Sequence, residues 1–147
     1  MELKVKNISG NPLPAYETGG SAGMDLRAWM EAPLVLNPLE RTLVRTGLFL
    51  EIPAGFEGQV RPRSGLSIQH GMTLVNCVGT IDSDYRGEIC IPMINLSQEP
   101  FTLENGMRIA QLILSRFEQL PMVEVADLSD LSGTQRGNGG FGSTGKR

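Results

Sequence analysis

The sequence predicts an all-β protein: a single-domain, jelly-roll-like β-barrel or sandwich with one short helix and a flexible glycine-rich C-terminal tail. Three observations carry that expectation. Short β-branched or apolar runs recur along the chain, separated at close spacing by Gly, Pro or Asn. Only one stretch, Ser64 to Gly71, joins a serine able to cap a helix to a glycine able to end it. From about Leu128 onward, Gly133, Gly137, Gly139, Gly140, Gly142 and Gly145 leave too little apolar surface to bury.

In chain order, Leu3 and Val5 alternate with lysines as in a half-buried strand, and Asn11, Pro12 and Pro14 break it. Behind the pair Gly19 and Gly20 comes a short extended piece carrying Asp25. Leu34 to Leu36 and Thr42 to Ile52 read as strands about a turn at Pro38, Leu39 and Glu40, and Phe56 to Val60 resumes after the turn at Pro53 to Gly55. After the helix, strands are expected at Thr73 to Val78, Ile89 to Leu96, Phe101 to Leu103, Arg108 to Leu114 and Met122 to Val125. Pro92 predicts an edge, a bulge or a subunit seam, because it cannot donate to a ladder. No internal repeat or linker divides the chain, so residues 1–130 are expected as the β domain and 131–147 as a flexible lid.

At 147 residues the chain is long enough for one core, with roughly two-thirds of its unfolded surface buried on folding. A net charge of −3 argues against a polymeric nucleic-acid partner, which needs a basic face to displace counterions. Of the 13 basic residues only Lys4, Lys6 and Lys146 are lysines, and the arginine bias suits bidentate phosphate binding. Cys77 and Cys90 lie in apolar runs without metal-ligand spacing and are expected as buried free thiols. His70 is the sole histidine, so neither a histidine zinc site nor a Ser-His-Asp triad can form in the usual way. The N-terminus lacks the apolar core of a signal peptide and no run is long enough to span a bilayer, which sets the expectation of a cytoplasmic protein without a membrane partner.

Chemistry concentrates between Gly79 and Glu88, where Asp82 and Asp84 flank a serine and precede Tyr85 and Arg86. A held aspartate can orient and deprotonate water, and a tyrosine ring can pack flat on a sugar or base. Asp, Ser and Gly also suit an ordinary β-turn. Arg61-Pro62-Arg63-Ser64-Gly65 sets two guanidiniums before a helix start, where Arg63, Ser64 and Gly65 suit a phosphate; a capped helix beside a solvated strand is the plainer reading. Gln111, in a core-like strand, needs polar partners, which phosphate or a carbonyl can supply. Asn76 suits the edge of a base or the end of a strand, and Asp25 suits an arginine, a turn or a water of hydrated magnesium. In the tail, Arg136, Phe141, Ser143 and Thr144 offer a charge, a ring and two hydroxyls to an anionic aromatic ligand.

Five segments in this order resemble the motifs of the trimeric deoxyuridine triphosphate nucleotidohydrolase (dUTPase) family. They are Ala22 to Ala28, Arg61 to Leu66, Gly79 to Glu88, Gly106 to Leu112 and Arg136 to Gly145. Met24 departs from the family's usual Tyr or Phe, and Thr80 from its usual aliphatic residue. The resemblance implies Mg²⁺-assisted hydrolysis of dUTP to dUMP and pyrophosphate, limiting uracil incorporation into DNA and supplying dUMP for dTMP synthesis. It further implies that Asp82 activates the attacking water, Tyr85 packs on deoxyribose and Asn76 reads uracil. Arg63, Ser64, Gly65 and Gln111 would bind the α- and β-phosphates. Arg136, Gly142, Ser143 and Thr144 would close on the substrate, chiefly at its γ-phosphate, with Phe141 on the base. Magnesium would be held mainly by the triphosphate, with Asp25 reaching its water shell, and a homotrimer would share each site between subunits. Asp84 is left a structural or ion-pairing part. A bifunctional dCTP deaminase and dUTPase, or a dUTP-sensing interaction module, are the alternatives; deamination needs an acid-base group at the pyrimidine amine, and no spare Glu stands in a matching motif.

Overall fold

The computed structural model describes residues 1–140. Ten strands run in chain order: β1 (Lys4–Asn7), β2 (Gly23–Arg27), β3 (Leu34–Leu36), β4 (Arg41–Glu51), β5 (Phe56–Pro62), β6 (Met72–Leu74), β7 (Gly79–Ile81), β8 (Glu88–Asn95), β9 (Phe101–Leu103) and β10 (Arg108–Arg116). The helix α1 (Ser64–His70) lies between β5 and β6. Strands β1-β4-β8-β6 form one four-stranded sheet, β2-β10-β5-β7 a second, and β3-β9 a two-stranded ribbon. The paired strands are antiparallel throughout.

Period-two alternation builds the core. Along β8, Ile89, Ile91, Met93 and Asn95 turn inward, and along β2, Met24 and Leu26 turn inward while Asp25 faces the other way. Ile89, Ile91, Met93, Met24 and Leu26 join Leu48, Leu50, Val60, Met72 and Leu112 in a single hydrophobic cluster supplied by both large sheets, and Asn95 is a buried polar residue beside it. Each fully buried residue of this kind contributes about 1.5–3 kcal/mol, so the all-β expectation rests on a core that two sheets share.

The register carries Gly79 to Glu88 from one sheet to the other. Strand β7 pairs with β5 through Gly58↔Ile81, Gln59↔Thr80 and Val60↔Gly79 at the edge of the second sheet. Six residues later the chain enters β8, an inner strand of the first sheet, at Glu88. The turn between them therefore spans the open end of the sandwich.

Several local expectations are corrected. Ser64 does not cap the helix. The chain stays extended through Arg63 (φ −91°, ψ 128°), which takes the N-cap position without a side-chain cap, and Ser64 becomes the first helical residue. Gly71 ends the helix as expected, at φ 64°. The strand expected at Thr73 to Val78 stops at Leu74. Val75 donates its N–H to Pro92 O at 2.8 Å, but Pro92 has no N–H to return, so the ladder ends and Val75 to Val78 turn away. Pro92 itself sits in an inner strand, opposite Leu43 of β4, rather than on an edge. Cys77 rides on this turn and is exposed rather than buried, while Cys90 on β8 is half-buried. Met122 to Val125 form no strand: they follow Pro121, pair with no edge of their own chain and are exposed. Residues 118–138 are exposed throughout, with one 3-10 turn at Leu128–Asp130.

Candidate active site

The turn after β7 is closed by its own hydrogen bonds. Tyr85 N donates to Asp82 O at 3.1 Å, and Arg86 Nη1 donates to Ser83 O at 2.7 Å and to Tyr85 O at 2.9 Å. The Tyr85 hydroxyl donates to Glu88 O at 3.0 Å, which lays the ring back over Gly87. A Cβ on Gly87 would overlap that ring, so the ring can rest in this position only against a glycine. The turn reading and the chemical reading of this stretch are thus compatible. The same hydrogen bonds that make the turn aim its side chains.

Those side chains border a cavity of about 380 Å³ at the open end of the sandwich, near the low end of ordinary ligand pockets at roughly 300–1,000 Å³. Asn76, Thr80, Asp82 and Tyr85 supply polar atoms, and Val60, Gly79 and Ile81 supply apolar surface. The Asn76 side chain packs over Gly79, where a Cβ would lie 3.3 Å from Nδ2. Asn76 thus sits on the turn after β6, not on a strand. Asp82 is exposed within the single chain, whereas partial burial is the sequence expectation; the turn projects it past the sheet edge. Asp84 forms no salt bridge among the described residues and faces, with Asp82, a second polar cavity of about 690 Å³.

Sequence reasoning missed Leu43, Cys90 and Pro92, which also line the first cavity. The signal for them is their cross-strand position: Leu43 pairs with Pro92, and Cys90 follows Ile89 at the mouth of β8. Partial burial, reinforced by the Glu88 carboxylate, pushes the Cys90 thiol above the usual cysteine range. Of the two departures from the family pattern, Met24 is core and Thr80 is cavity wall.

The phosphate-type residues lie elsewhere. Arg63, Ser64, Gly65 and Gln111 do not line the cavity that holds Asp82. Asp25 faces Gln111 in the ladder, Gln111 in turn faces Arg61 on the next strand, and the Asp25 carboxylate takes Arg63 Nε at 3.0 Å on Oδ1 and Arg108 Nη1 at 3.2 Å on Oδ2. With its side chain 13% exposed, Asp25 fixes both guanidiniums in place. The first-turn N–H groups of α1 have no intrahelical acceptor and no side-chain cap, and the space beside Gly65 is open. Gln111 borders a separate cavity of about 310 Å³ with Asp25 and Arg61. Arg136 is exposed and donates Nε to Gly139 O at 2.8 Å. Phe141, Gly142, Ser143 and Thr144 lie outside the described residues.

A family model described as dUTPase matches residues 10–145, which contain all five motif segments. The chain belongs to the dUTPase family. Its relatives include the deoxyuridine 5'-triphosphate nucleotidohydrolase of Finegoldia magna, 58% identical over 99% of both chains. That of Cytophaga hutchinsonii is 53% identical over 98% of this chain and 92% of the relative. Among solved structures, a point mutant of the Staphylococcus bacteriophage 80alpha dUTPase with dUpNHpp has a TM-score of 0.83 at 26% identity, covering 98% of each chain. A dUTPase from phage phi11 of S. aureus, described with a structural Mg(II) ion, has a TM-score of 0.78 at 21% identity over 87% of this chain and 99% of that one. At that identity the likeness is one of fold. In this dUTPase-family chain no described helix is long and apolar enough to cross a membrane.

Proposed function

We propose that the protein is a dUTP diphosphatase. The observation that carries the reading is the cavity bordered jointly by Asn76, Asp82 and Tyr85 in a chain of the dUTPase family. Asp82 orients a water toward the α-phosphorus and accepts its proton as the new P–O bond forms. The bond from the α-phosphorus to the bridging oxygen breaks, and pyrophosphate leaves with that oxygen and the bonding pair, giving dUMP. Tyr85 packs on the deoxyribose and leaves no room for a 2′-hydroxyl, and Asn76 reads the uracil edge. Arg63, Ser64, Gly65 and Gln111 hold the α- and β-phosphates. Arg136, Ser143 and Thr144 hold the γ-phosphate, Gly142 lets the backbone approach, and Phe141 covers the base. The product keeps uracil out of the DNA precursor pool and supplies dUMP for dTMP synthesis, and a cytoplasmic location suits that pool.

Magnesium fits this arrangement as an ion carried by the substrate. Among the described residues no group of three or more His, Cys, Asp or Glu could hold a metal directly. Each Asp25 oxygen accepts one guanidinium hydrogen bond and keeps a lone pair for a water. When bound, the ion would neutralise charge on the triphosphate oxygens.

A homotrimer completes the site in this reading. The phosphate-type residues do not border the Asp82 cavity of their own chain, and subunits that share sites bring the two sets together. The exposed Leu43, Ile68, Leu120 and Met122 offer apolar surface for such contacts.

The test is pyrophosphate release with magnesium across the deoxynucleoside triphosphates and UTP. Turnover confined to dUTP is expected. Ammonia release from dCTP would replace the reading with the deaminase, and binding of dUTP without turnover would replace it with the sensing module.

A further inference from the structure

Glu88 occupies two roles at the mouth of the cavity. Its backbone carbonyl accepts the Tyr85 hydroxyl at 3.0 Å. Its side chain, 14% exposed, is held by two N–H donors: Arg45 Nε, shared between Oε2 at 2.9 Å and Oε1 at 3.2 Å, and Gly47 N at 2.8 Å, with Arg45 Nη2 in ion-pair range of Oε2 at 2.9 Å. The Gly47 N–H is available because the β4–β8 ladder breaks register between Arg45 and Phe49, with Gly47 at φ 69°. An added Cβ there would lie 2.7 Å from the Ser9 side chain, so the bulge cannot relax toward a regular strand residue. Arg45 is itself oriented, with Cζ 4.4 Å from the Trp29 ring centroid and its carbonyl accepting Trp29 N–H at 2.8 Å.

A surface ion pair alone adds little, and Arg45 is 55% exposed on its side chain. What distinguishes this pair is its position. The clamp acts on the one residue whose carbonyl fixes the tyrosine, at the point where the turn joins β8. A carboxylate held by a guanidinium N–H shared between its two oxygens and by a bulge N–H leaves the Glu88 backbone little freedom, and so leaves the Tyr85 hydroxyl one acceptor position.

We infer that Glu88, clamped by Arg45 and the Gly47 bulge, is a positioning residue for Tyr85 and thereby sets discrimination between 2′-deoxy and ribo nucleotides. The inference rests on the proposed sugar-packing role of Tyr85. It extends that role from the ring to the residues that aim it.

Glu88→Gln keeps the shape and an acceptor for Gly47 but loses the charge, and Arg45→Met keeps an apolar stem beside Trp29 while removing the guanidinium. The readout is the ratio of kcat/KM for dUTP to that for UTP, with melting temperature recorded for each protein. Each variant is expected to lower the ratio roughly tenfold, the scale on which small misplacements of a positioning group act. In a Tyr85→Phe background, which already lacks the hydroxyl tie, Glu88→Gln should lower it no further. A folded variant of either kind with a wild-type ratio overturns the inference, as does an equal fall from Glu88→Gln with and without the tyrosine hydroxyl. A wild type that turns over UTP as fast as dUTP overturns the Tyr85 reading itself. A selective wild type with an unchanged ratio in the variants overturns only the Glu88 assignment.

Discussion

Replacing Gly87 by alanine tests the geometry of the turn with one methyl group. Gly87 does not have a positive φ, so alanine carries no backbone penalty there; the only obstacle is the Tyr85 ring, which a Cβ would overlap. The overlapped atoms are the hydroxyl and its end of the ring, and the ring is 47% exposed, so it can swing out without moving the backbone. The loss to folding is then one hydrogen bond to Glu88 O, about 1 kcal/mol. In a domain of this size that lowers the melting temperature by about 3 °C. The loss to selectivity is larger, because the displaced ring no longer stands where a 2′-hydroxyl would come: the dUTP over UTP ratio of kcat/KM should fall by about tenfold to a hundredfold. Parallel pyrophosphate-release curves on the two nucleotides give the ratio, and a thermal melt gives the stability. A folded Gly87→Ala protein with unchanged selectivity would refute the claim that the ring's rest position matters. A collapse of the melting temperature would refute the claim that the ring is free to yield.

Asp82→Asn should reduce turnover by about a thousandfold or more while binding of a non-hydrolysable dUTP analogue stays within about tenfold, checked by single-turnover kinetics and calorimetry. Removing the residues after Asp130 should leave a cooperative melt and poor turnover, since residues 131–138 are exposed and none of the described residues removed belongs to the hydrophobic cluster; unchanged kinetics would reduce the tail to a bystander. Asp25→Asn leaves Arg63 and the partly exposed Arg108 without their shared carboxylate, and should cost about 1 kcal/mol in denaturant unfolding and raise KM more than it lowers kcat. At mildly alkaline pH iodoacetamide should modify exposed Cys77 before Cys90, because a raised pKa keeps the Cys90 thiol protonated as pH climbs. A bound dUTP analogue should slow the Cys90 reaction further, read by peptide mass mapping.

The sheets were legible because alternation is a property of one strand against one core. Ile89, Ile91 and Met93 announce β8 without any knowledge of its neighbours. The sequence failed where a second strand decided the outcome. Val75 to Val78 are as apolar as a strand needs, yet the missing N–H of Pro92, seventeen residues beyond Val75, ends their ladder. Ser64 looks like a cap until the extended Arg63, paired across the sheet to Asp25, takes the position before the helix. The same holds for the bulge at Gly47, whose N–H, released from the ladder, gives Glu88 its partner and which no local pattern announces.

The candidate site divides along a related line. Asp82, Tyr85 and Asn76 could be named close together from sequence because two turns on either side of the short strand β7 carry them, and the structure gathers them at one cavity. Arg63, Ser64, Gly65 and Gln111 could be named by type but not placed, because their association with Asp82 is not encoded in any ladder of this chain. Asp25 is what orders that second set internally: it ties β2 to Arg63 ahead of the helix and to Arg108 at the start of β10, so three motif segments are cross-linked through one carboxylate. In the proposed reading, this phosphate-binding set and the base-and-sugar cavity are separate in one chain and are combined by docking of subunits. Perturbing Asp25 should therefore weaken phosphate contacts without touching dUTP over UTP selectivity, whereas perturbing Gly87 should do the reverse. Variants that shift both readouts together would show that the two halves are not independent bodies.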